Sequence, residues 1–339
     1  MKAKLVKSIT DLKDHVAIDF IDDFDVLEKF IIDREAYLQR RYIGPDLLNK
    51  LAEIKDSADA STSSSASASL SDSASTSGEL LVYQLLLWYC QRIVCNMAMK
   101  DYIPEGQLDI SASGIRISTT NEKKQAFPWQ IAQLEKRYLE TANSNLEDLI
   151  DYLIKTSVSE WISAPIYKKL RGHFVNTALE FEKYYSIDES HLVFLKLLPD
   201  VDYVEKTIVT SLLGDLFVEE LKERILDGEK EESSSTSTST TLEKYQKVLE
   251  MVAAATVLLT VAHTSVIDCD KEEIEKRAGH IIQQLKAYLD ANASESLFNN
   301  YFTSGKYTPA PTEEEKAADE SATSWGVDNS KLSGCYAAF

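Results

Sequence analysis

The stretch ELLVYQLLLWYCQRIVCNMAMK, residues 79–100, decides the fold. It is apolar on nearly every side of a helix, yet polar residues such as Gln84, Arg92 and Asn96 interrupt it, and such residues are costly in a bilayer. A second apolar stretch, VLEMVAAATVLLTVAHTSV, occupies residues 248–266. Two stretches of this kind are typical of the buried central helices of two bundles. We therefore predict a mainly α protein that has no membrane span.

The composition favours helices and argues against nucleic-acid binding. The chain has 339 residues, 36 Lys and Arg against 55 Asp and Glu, and a net charge of −19. An acidic surface repels DNA, because DNA affinity comes largely from basic side chains at the phosphates, although DNA could still slide past such a protein. Only 11 Gly and 7 Pro are present, fewer than β-sandwiches and barrels usually need.

The two halves of the chain share three sequence matches in the same order, which predicts an internal duplication. The matched pairs are residues 43–51 with 213–221, Tyr83-Gln84 with Tyr245-Gln246, and 131–144 with 281–294. A Ser-rich stretch precedes each Tyr-Gln pair and cannot bury enough apolar surface to offset its ordering entropy. We therefore expect two diverged copies of one helical module.

The predicted duplication divides the chain into four parts. They are helical module 1 over residues 1–156, a connecting helical segment over 157–187, helical module 2 over 188–304, and a flexible acidic tail over 305–339. The Ser-rich stretches are predicted as loops at 56–78 and 229–241, and alternation in QLDISASGIRISTT predicts a small β-hairpin at about 107–120.

The pattern also predicts the helices of module 1. A short helix starts near residue 8 with Ser8 or Thr10 as its cap. The further helices are expected at 24–41, 46–54, 79–100, 129–141 and 145–155, with a helical stretch from 159 to 185. Gly44 is expected to end the helix that precedes it, and Pro45 to start the next one.

The sequence contains no recognisable catalytic, cofactor-binding or metal-binding motif. None of the five histidines lies at metal-ligand spacing, and the phosphate-loop, dinucleotide and hydrolase patterns are missing. Cys90 and Cys95 are expected in the core and Cys269 and Cys335 as free thiols, which fits a reducing compartment. The acidic run at 19–23 lacks the glycine and spacing of a calcium loop. We predict no enzyme, no cofactor, and no catalytic, cofactor-binding or metal residues.

Several segments resemble an uncharacterised family from phages and prophages of gut Bacteroidales. They are FDVLEKFIIDREAYLQRRYIGPDLLNKL at 24–51, ISASGIRIS at 110–118 followed by FPWQIAQLEKRYL at 127–139, and FVNTALEFEKYYSIDESHLVFLKLLPDVDYVEKTIVTSLLGDLFVEEL at 174–221. Members of that family look like head-to-tail connectors, also called adaptor or neck proteins, which ring the exit of the portal. The resemblance transfers no active-site residue.

The resemblance implies a structural virion protein. We expect a head-to-tail connector or adaptor that forms a homo-oligomeric ring below the portal, at the neck of a phage assembled in the host cytoplasm. Its partners would be its own copies and the portal or other neck and tail proteins, with DNA only passing through and no membrane contact. The alternative is a soluble protein-interaction or scaffolding module outside the virion.

Overall fold

The computed structural model describes residues 2–17, 23–63, 74–106, 108–111, 114–117, 127–231, 239–293 and 296–307. These residues form two compact units. Unit 1 contains Met1–Gly172, Asn176–Glu182 and Ser186–Lys196, and unit 2 contains His173–Val175, Lys183–Tyr185 and Leu197–Phe339. The prediction of a mainly α protein is confirmed.

Unit 1 is built around two long helices. Its elements are α1 (Ile9–His15), α2 (Asp25–Leu38), a π-helix (Gln39–Ile43), α3 (Gly44–Ser63), α4 (Ala74–Glu105), β1 (Leu108–Ser111), β2 (Gly114–Ile117), α5 (Pro128–Thr156), α6 (Ser159–Ile162), α7 (Pro165–Leu170) and α8 (Ala178–Glu182). The two strands pair antiparallel, with Leu108 opposite Ile117. Residues 112 and 113 between the two strands lie outside the described residues.

Helix α9 (His191–Tyr203) is divided between the units: its first residues belong to unit 1 and its later residues to unit 2. The other elements of unit 2 are a π-helix (Val204–Val209), α10 (Thr210–Leu213), α11 (Asp215–Glu231), α12 (Ser239–His263), α13 (Lys271–Ala291), a 3-10 helix (Ser296–Phe298) and α14 (Asn299–Phe302). The segment Leu242–His263 of α12 is long and apolar enough to cross a membrane, but 67% of it is buried within the protein, as in a core helix.

Local chemistry explains where the helices of unit 1 begin and end. Ser8 caps α1: its hydroxyl accepts the Asp11 N–H, and the Asp11 carboxylate accepts the Ser8 N–H, which confirms Ser8 as the cap. The helices predicted at 129–141 and 145–155 are one continuous helix, α5. The prediction of two helices was wrong because the Thr141 and Asn145 side chains donate back to the carbonyls of Arg137 and Thr141 and so leave the helix intact.

Parts of both Ser-rich stretches, predicted as loops at 56–78 and 229–241, are helical, and residues 64–73 and 232–238 lie outside the described residues. Helix α3 continues to Ser63 and α4 begins at Ala74, while α11 reaches Glu231 and α12 begins at Ser239. Ser and Ala are acceptable residues at helix ends, so low complexity did not mark the boundaries. The predicted acidic tail lies outside the described residues from 308 onward.

The predicted connecting segment 157–187 is instead mostly part of unit 1. Trp161 is only 2% exposed, and its indole N–H donates to the carbonyl of Tyr42 at 2.9 Å. Ala164 lies against Gly44, where a Cβ would approach the Ala164 Cβ to 2.8 Å. These contacts fix the first part of the segment in the core of unit 1.

Both units repeat one order of elements. In each, a helix passes through a π-helix to a glycine with positive φ, Gly44 at +77° and Gly214 at +86°. A further helix, a Ser-rich stretch, a long apolar helix and its partner helix follow. A four-residue helix comes last, and the residue two positions beyond it (Ala164 or Ser304) packs against the glycine. The two units therefore share this order of elements, although the strand pair, α7 and α8 are described only in unit 1.

The match is imperfect in the partner helices. Tyr152 of α5 lies beside Tyr89 of α4, and Tyr288 of α13 lies beside Lys247 of α12. The C-terminal parts of α5 and α13 therefore correspond, and since α5 has 29 residues and α13 has 21, the extra length of α5 lies at its N-terminus. The predicted match of 131–144 with 281–294 is therefore wrong, because it pairs residues that are not at equivalent positions of the two helices. Such a match arises easily, since the same apolar spacing recurs in any amphipathic helix.

Candidate assembly surface

Among the described residues, no group of three or more His, Cys, Asp and Glu side chains is arranged to hold a metal ion. One open acidic groove contains His191, whose pKa is lowered by burial, with Asp151 at 3.8 Å. Glu147 in this groove accepts the N–H groups of His191 and Leu192 at 2.7 and 3.1 Å. Its carboxylate thus caps the start of α9, which is a structural task.

In each unit, one buried glutamate binds backbone N–H groups near the start of the unit. Glu35 accepts the N–H groups of Lys4, Leu5 and Val6 at 2.8, 2.7 and 3.3 Å. Burial raises the pKa of Glu35, although these three hydrogen bonds act in the opposite direction. The extended N-terminal residues are thereby fixed to α2.

Glu205 plays the same part in unit 2. It is 1% exposed and accepts the Phe174 N–H at 2.7 Å, the Lys222 ammonium at 2.7 Å and a hydrogen bond with His173 Nδ1 at 3.0 Å. Glu205 precedes Gly214 by as many residues as Glu35 precedes Gly44. The two carboxylates are matched structural clamps, and sequence reasoning missed both because a buried Glu looks like any helix-surface Glu in the sequence.

An exposed apolar surface covers the N-terminal half of α4. We call it the α4 patch, and it consists of Leu80, Leu81, Leu85 and Trp88, with 47%, 64%, 37% and 39% of their surfaces exposed. The last three recur at the spacing of one helix face. The apolar pattern of α4 predicted a buried central helix, which is wrong for this face, whereas Cys90 and Cys95 are buried as expected.

The second unit shows that the fold does not require this surface. With Tyr83 aligned to Tyr245, the positions of Leu81, Leu85 and Trp88 are taken in α12 by charged residues, namely Glu243, Lys247 and Glu250. A charged face is the ordinary choice for an exposed helix. Comparison of the two repeats at these positions is the sequence signal that could have located the α4 patch.

Charged side chains of both signs lie near the α4 patch. The Arg92 guanidinium lies over the ring of Trp88, 4.9 Å from its centroid. On another side of α4, the Tyr83 hydroxyl donates to Glu160 at 2.7 Å, and burial together with this carboxylate raises the pKa of Tyr83 to about 12. Burial and the nearby Asp148 and Asp151 raise the pKa of Tyr89.

Exposed apolar side chains also lie on the N-terminal extension of α5. We call them the α5 patch; they are Phe127, Trp129, Leu134 and Leu139, with 64%, 63%, 39% and 39% of their surfaces exposed. At 100° per residue they point to different sides of the helix. The exposed Lys136 among them forms an ion pair with Glu140 at 3.7 Å.

The two patches lie at opposite ends of one helix pair. Helices α4 and α5 run antiparallel: Tyr89 neighbours Tyr152, whereas Glu135 shares a groove with Lys100 and Glu105. At 1.5 Å per residue, the patches are separated by roughly 20 Å or more. Neither patch can therefore cover the other within one chain.

Exposed apolar residues in unit 2 are scattered by comparison. Among its described residues, large apolar side chains with comparable exposure are Tyr203, Leu216, Leu242 and Val266, which belong to different elements. Scattered residues of this kind are normal, whereas contiguous patches mark interaction sites. The α4 patch, in which Leu81, Leu85 and Trp88 share one helix face, is therefore the best candidate for a functional surface.

Comparison with known proteins gives a family and no activity. No curated protein and no solved structure matches the chain. A family of unknown function, DUF6712, matches residues 40–171 and 261–311, more than half of the chain. Each matched segment ends at the same distance beyond a four-residue helix, α6 in the first and α14 in the second. The chain therefore belongs to the DUF6712 family.

Proposed function

We propose that this chain is a structural protein of a phage particle, a head-to-tail connector that forms a ring below the portal. The observation that carries the proposal is the α4 patch of unit 1, in which Leu81, Leu85 and Trp88 are exposed at positions where unit 2 has charged residues. A protein that works by assembly needs such surfaces, because buried apolar area drives most association.

The charge of the chain suits a channel for DNA. A net charge of −19 per subunit is multiplied around a ring, and like charge keeps the DNA backbone from binding to the wall. DNA would pass without sequence-specific contacts, and the portal and other neck or tail proteins would be the neighbours above and below. On this proposal the chain acts in the virion neck and is not an enzyme.

The composition of the particle tests this proposal. Particles are purified from the phage or induced prophage that encodes the chain, and their peptides are identified by mass spectrometry. Electron microscopy with an antibody to the chain then locates it. We expect the chain in the particle and the label at the junction of head and tail. Absence from purified particles would refute the proposal and favour a soluble scaffolding module.

A further inference from the structure

We infer that a basic groove of unit 2 binds an acidic peptide, and that residues 313–320 of the same chain supply it. The groove has a volume of about 500 Å³, and all of its lining residues belong to unit 2. Its floor is apolar, with Leu258 and Ile281. The side chains around its rim are basic and exposed, namely Lys183, Lys276, Arg277 and His280. Among the described residues, those that line the groove include no acid, although the net charge of the chain is −19.

Neighbouring carboxylates neutralise the groove only in part. Lys276 pairs with Glu272 at 2.9 Å, but the two side chains are 68% and 80% exposed, so this pair contributes little. Within the described part of the chain, Lys183 and Arg277 form no ion pair. The other acids close to these residues in the sequence, which do not line the groove, are Glu182, Glu273 and Glu275. Two cations of the rim are therefore left for a ligand.

Comparison with unit 1 shows that the fold does not require this basic rim. With Tyr288 of α13 aligned to Tyr152 of α5, the three basic positions of α13 are occupied in unit 1 by Glu140, Thr141 and Ser144. The same alignment pairs two fully buried alanines, Ala278 and Ala142. Like charges that lie close together oppose folding by mutual repulsion. A cluster of them that is specific to one unit therefore indicates a ligand.

An acidic peptide fits the groove better than nucleic acid does. Basic side chains form strong hydrogen bonds with carboxylates, while the apolar floor can accept small apolar side chains. The segment EEEKAADE at 313–320 has this composition, since five acids and one Lys surround Ala317 and Ala318. Nucleic acid would instead meet repulsion from the strongly acidic chain as a whole.

The segment is within reach of the groove in its own unit. The ring of Tyr307, the last described residue, lies 5.6 Å from that of Tyr301. Burial and the nearby Asp290 of α13 raise the pKa of Tyr301, which places this end of the chain near Asp290. From Asp290 back to Arg277, α13 covers about 20 Å. Since residues 308–316 can span about 30 Å when extended, the acids can meet the rim.

A binding experiment with full-length chains tests this assignment. The ligand is a fluorescein-labelled peptide of residues 308–325, TPAPTEEEKAADESATSW, and binding is followed by fluorescence anisotropy. The receiving chain has a neutral segment, made by Glu313→Gln, Glu314→Gln, Glu315→Gln, Asp319→Asn and Glu320→Gln, so that its own residues do not compete.

Two matched variants of the neutral-segment chain separate the groove from general attraction. The groove variant carries Lys276→Gln and Arg277→Gln. The control carries Lys271→Gln and Lys286→Gln, which make the same change in charge on the same helix outside the groove. All four side chains are exposed, so both variants should keep the helical circular dichroism of the parent chain.

We expect the neutral-segment chain and the control to bind the peptide with affinities within about twofold of each other, and the groove variant to bind it about tenfold more weakly or worse. The wild-type chain should also bind the peptide about tenfold more weakly, because its own segment competes at an effective concentration on the order of millimolar. This wild-type deficit should not depend on the protein concentration.

Other results overturn the assignment. They are the absence of saturable binding, a control that loses as much affinity as the groove variant, and a wild-type chain that binds as tightly as the neutral-segment chain. A wild-type deficit that disappears on dilution would assign the segment to a second copy, and tighter groove-dependent binding of a labelled oligonucleotide would make nucleic acid the ligand. None of these results bears on the composition of the particle, which tests the proposed function separately.

Discussion

Removal of the Glu205 carboxylate should destabilise the protein strongly. The substitution Glu205→Ala leaves the buried Phe174 N–H without its partner, which costs about 1–3 kcal/mol. It also strips Lys222 of a counter-charge, but this side chain is 26% exposed and regains water, so we add only about 1 kcal/mol. We therefore expect the free energy of unfolding to fall by about 3 kcal/mol.

Urea denaturation followed by circular dichroism measures this loss. With a slope of about 2 kcal/mol per molar urea, the midpoint should fall by about 1.5 M. The matched control is Glu219→Ala on α11, an exposed residue for which we expect a change within about 0.5 kcal/mol. A Glu205→Ala protein as stable as this control would refute the view that Glu205 clamps the start of unit 2.

Two further predictions concern unit 1, and both are checked by the unfolding free energy. Gly44→Ala should cost about 2 kcal/mol or more, because φ is +77° and the new Cβ would lie 2.8 Å from that of Ala164; Gly279→Ala, in an open helix position, should be neutral or stabilising. Burial opposes ionisation of Asp11, but hydrogen bonds led by that of Lys55 at 2.7 Å lower its pKa below 3.8. Its contribution is therefore complete above that value and is lost as the pH falls through the lowered pKa, so the wild-type advantage over Asp11→Asn should shrink in acid. A difference that stays constant with pH would contradict this.

The apolar pattern predicted the central helices, because the buried positions of a helix are occupied mostly by apolar residues. Val257 of α12 is fully buried, and Ser8 begins α1 as a capping residue should. The pattern failed where side chains satisfy the backbone locally: Thr141 and Asn145 resemble a break between helices but bond back to α5. Tertiary contacts were invisible as well, since nothing near Trp161 in the sequence reveals the Tyr42 carbonyl that its indole contacts.

The exposed α4 patch could not be predicted from the sequence of α4 alone. Apolar residues on every side of a helix predict complete burial, and one sequence cannot show whether Trp88 faces the core or another protein. The repeat provides the missing comparison, because Glu250 occupies the corresponding position in a helix of the same role. Divergence between two copies of one module thus separates what the fold needs from what assembly needs.

The most direct test of this account is cryo-electron microscopy of the intact particle. We predict a ring at the junction of head and tail in which Leu81, Leu85 and Trp88 of each copy are buried against a neighbouring protein. A particle without this chain, or one in which the α4 patch faces solvent in every copy, would contradict the account.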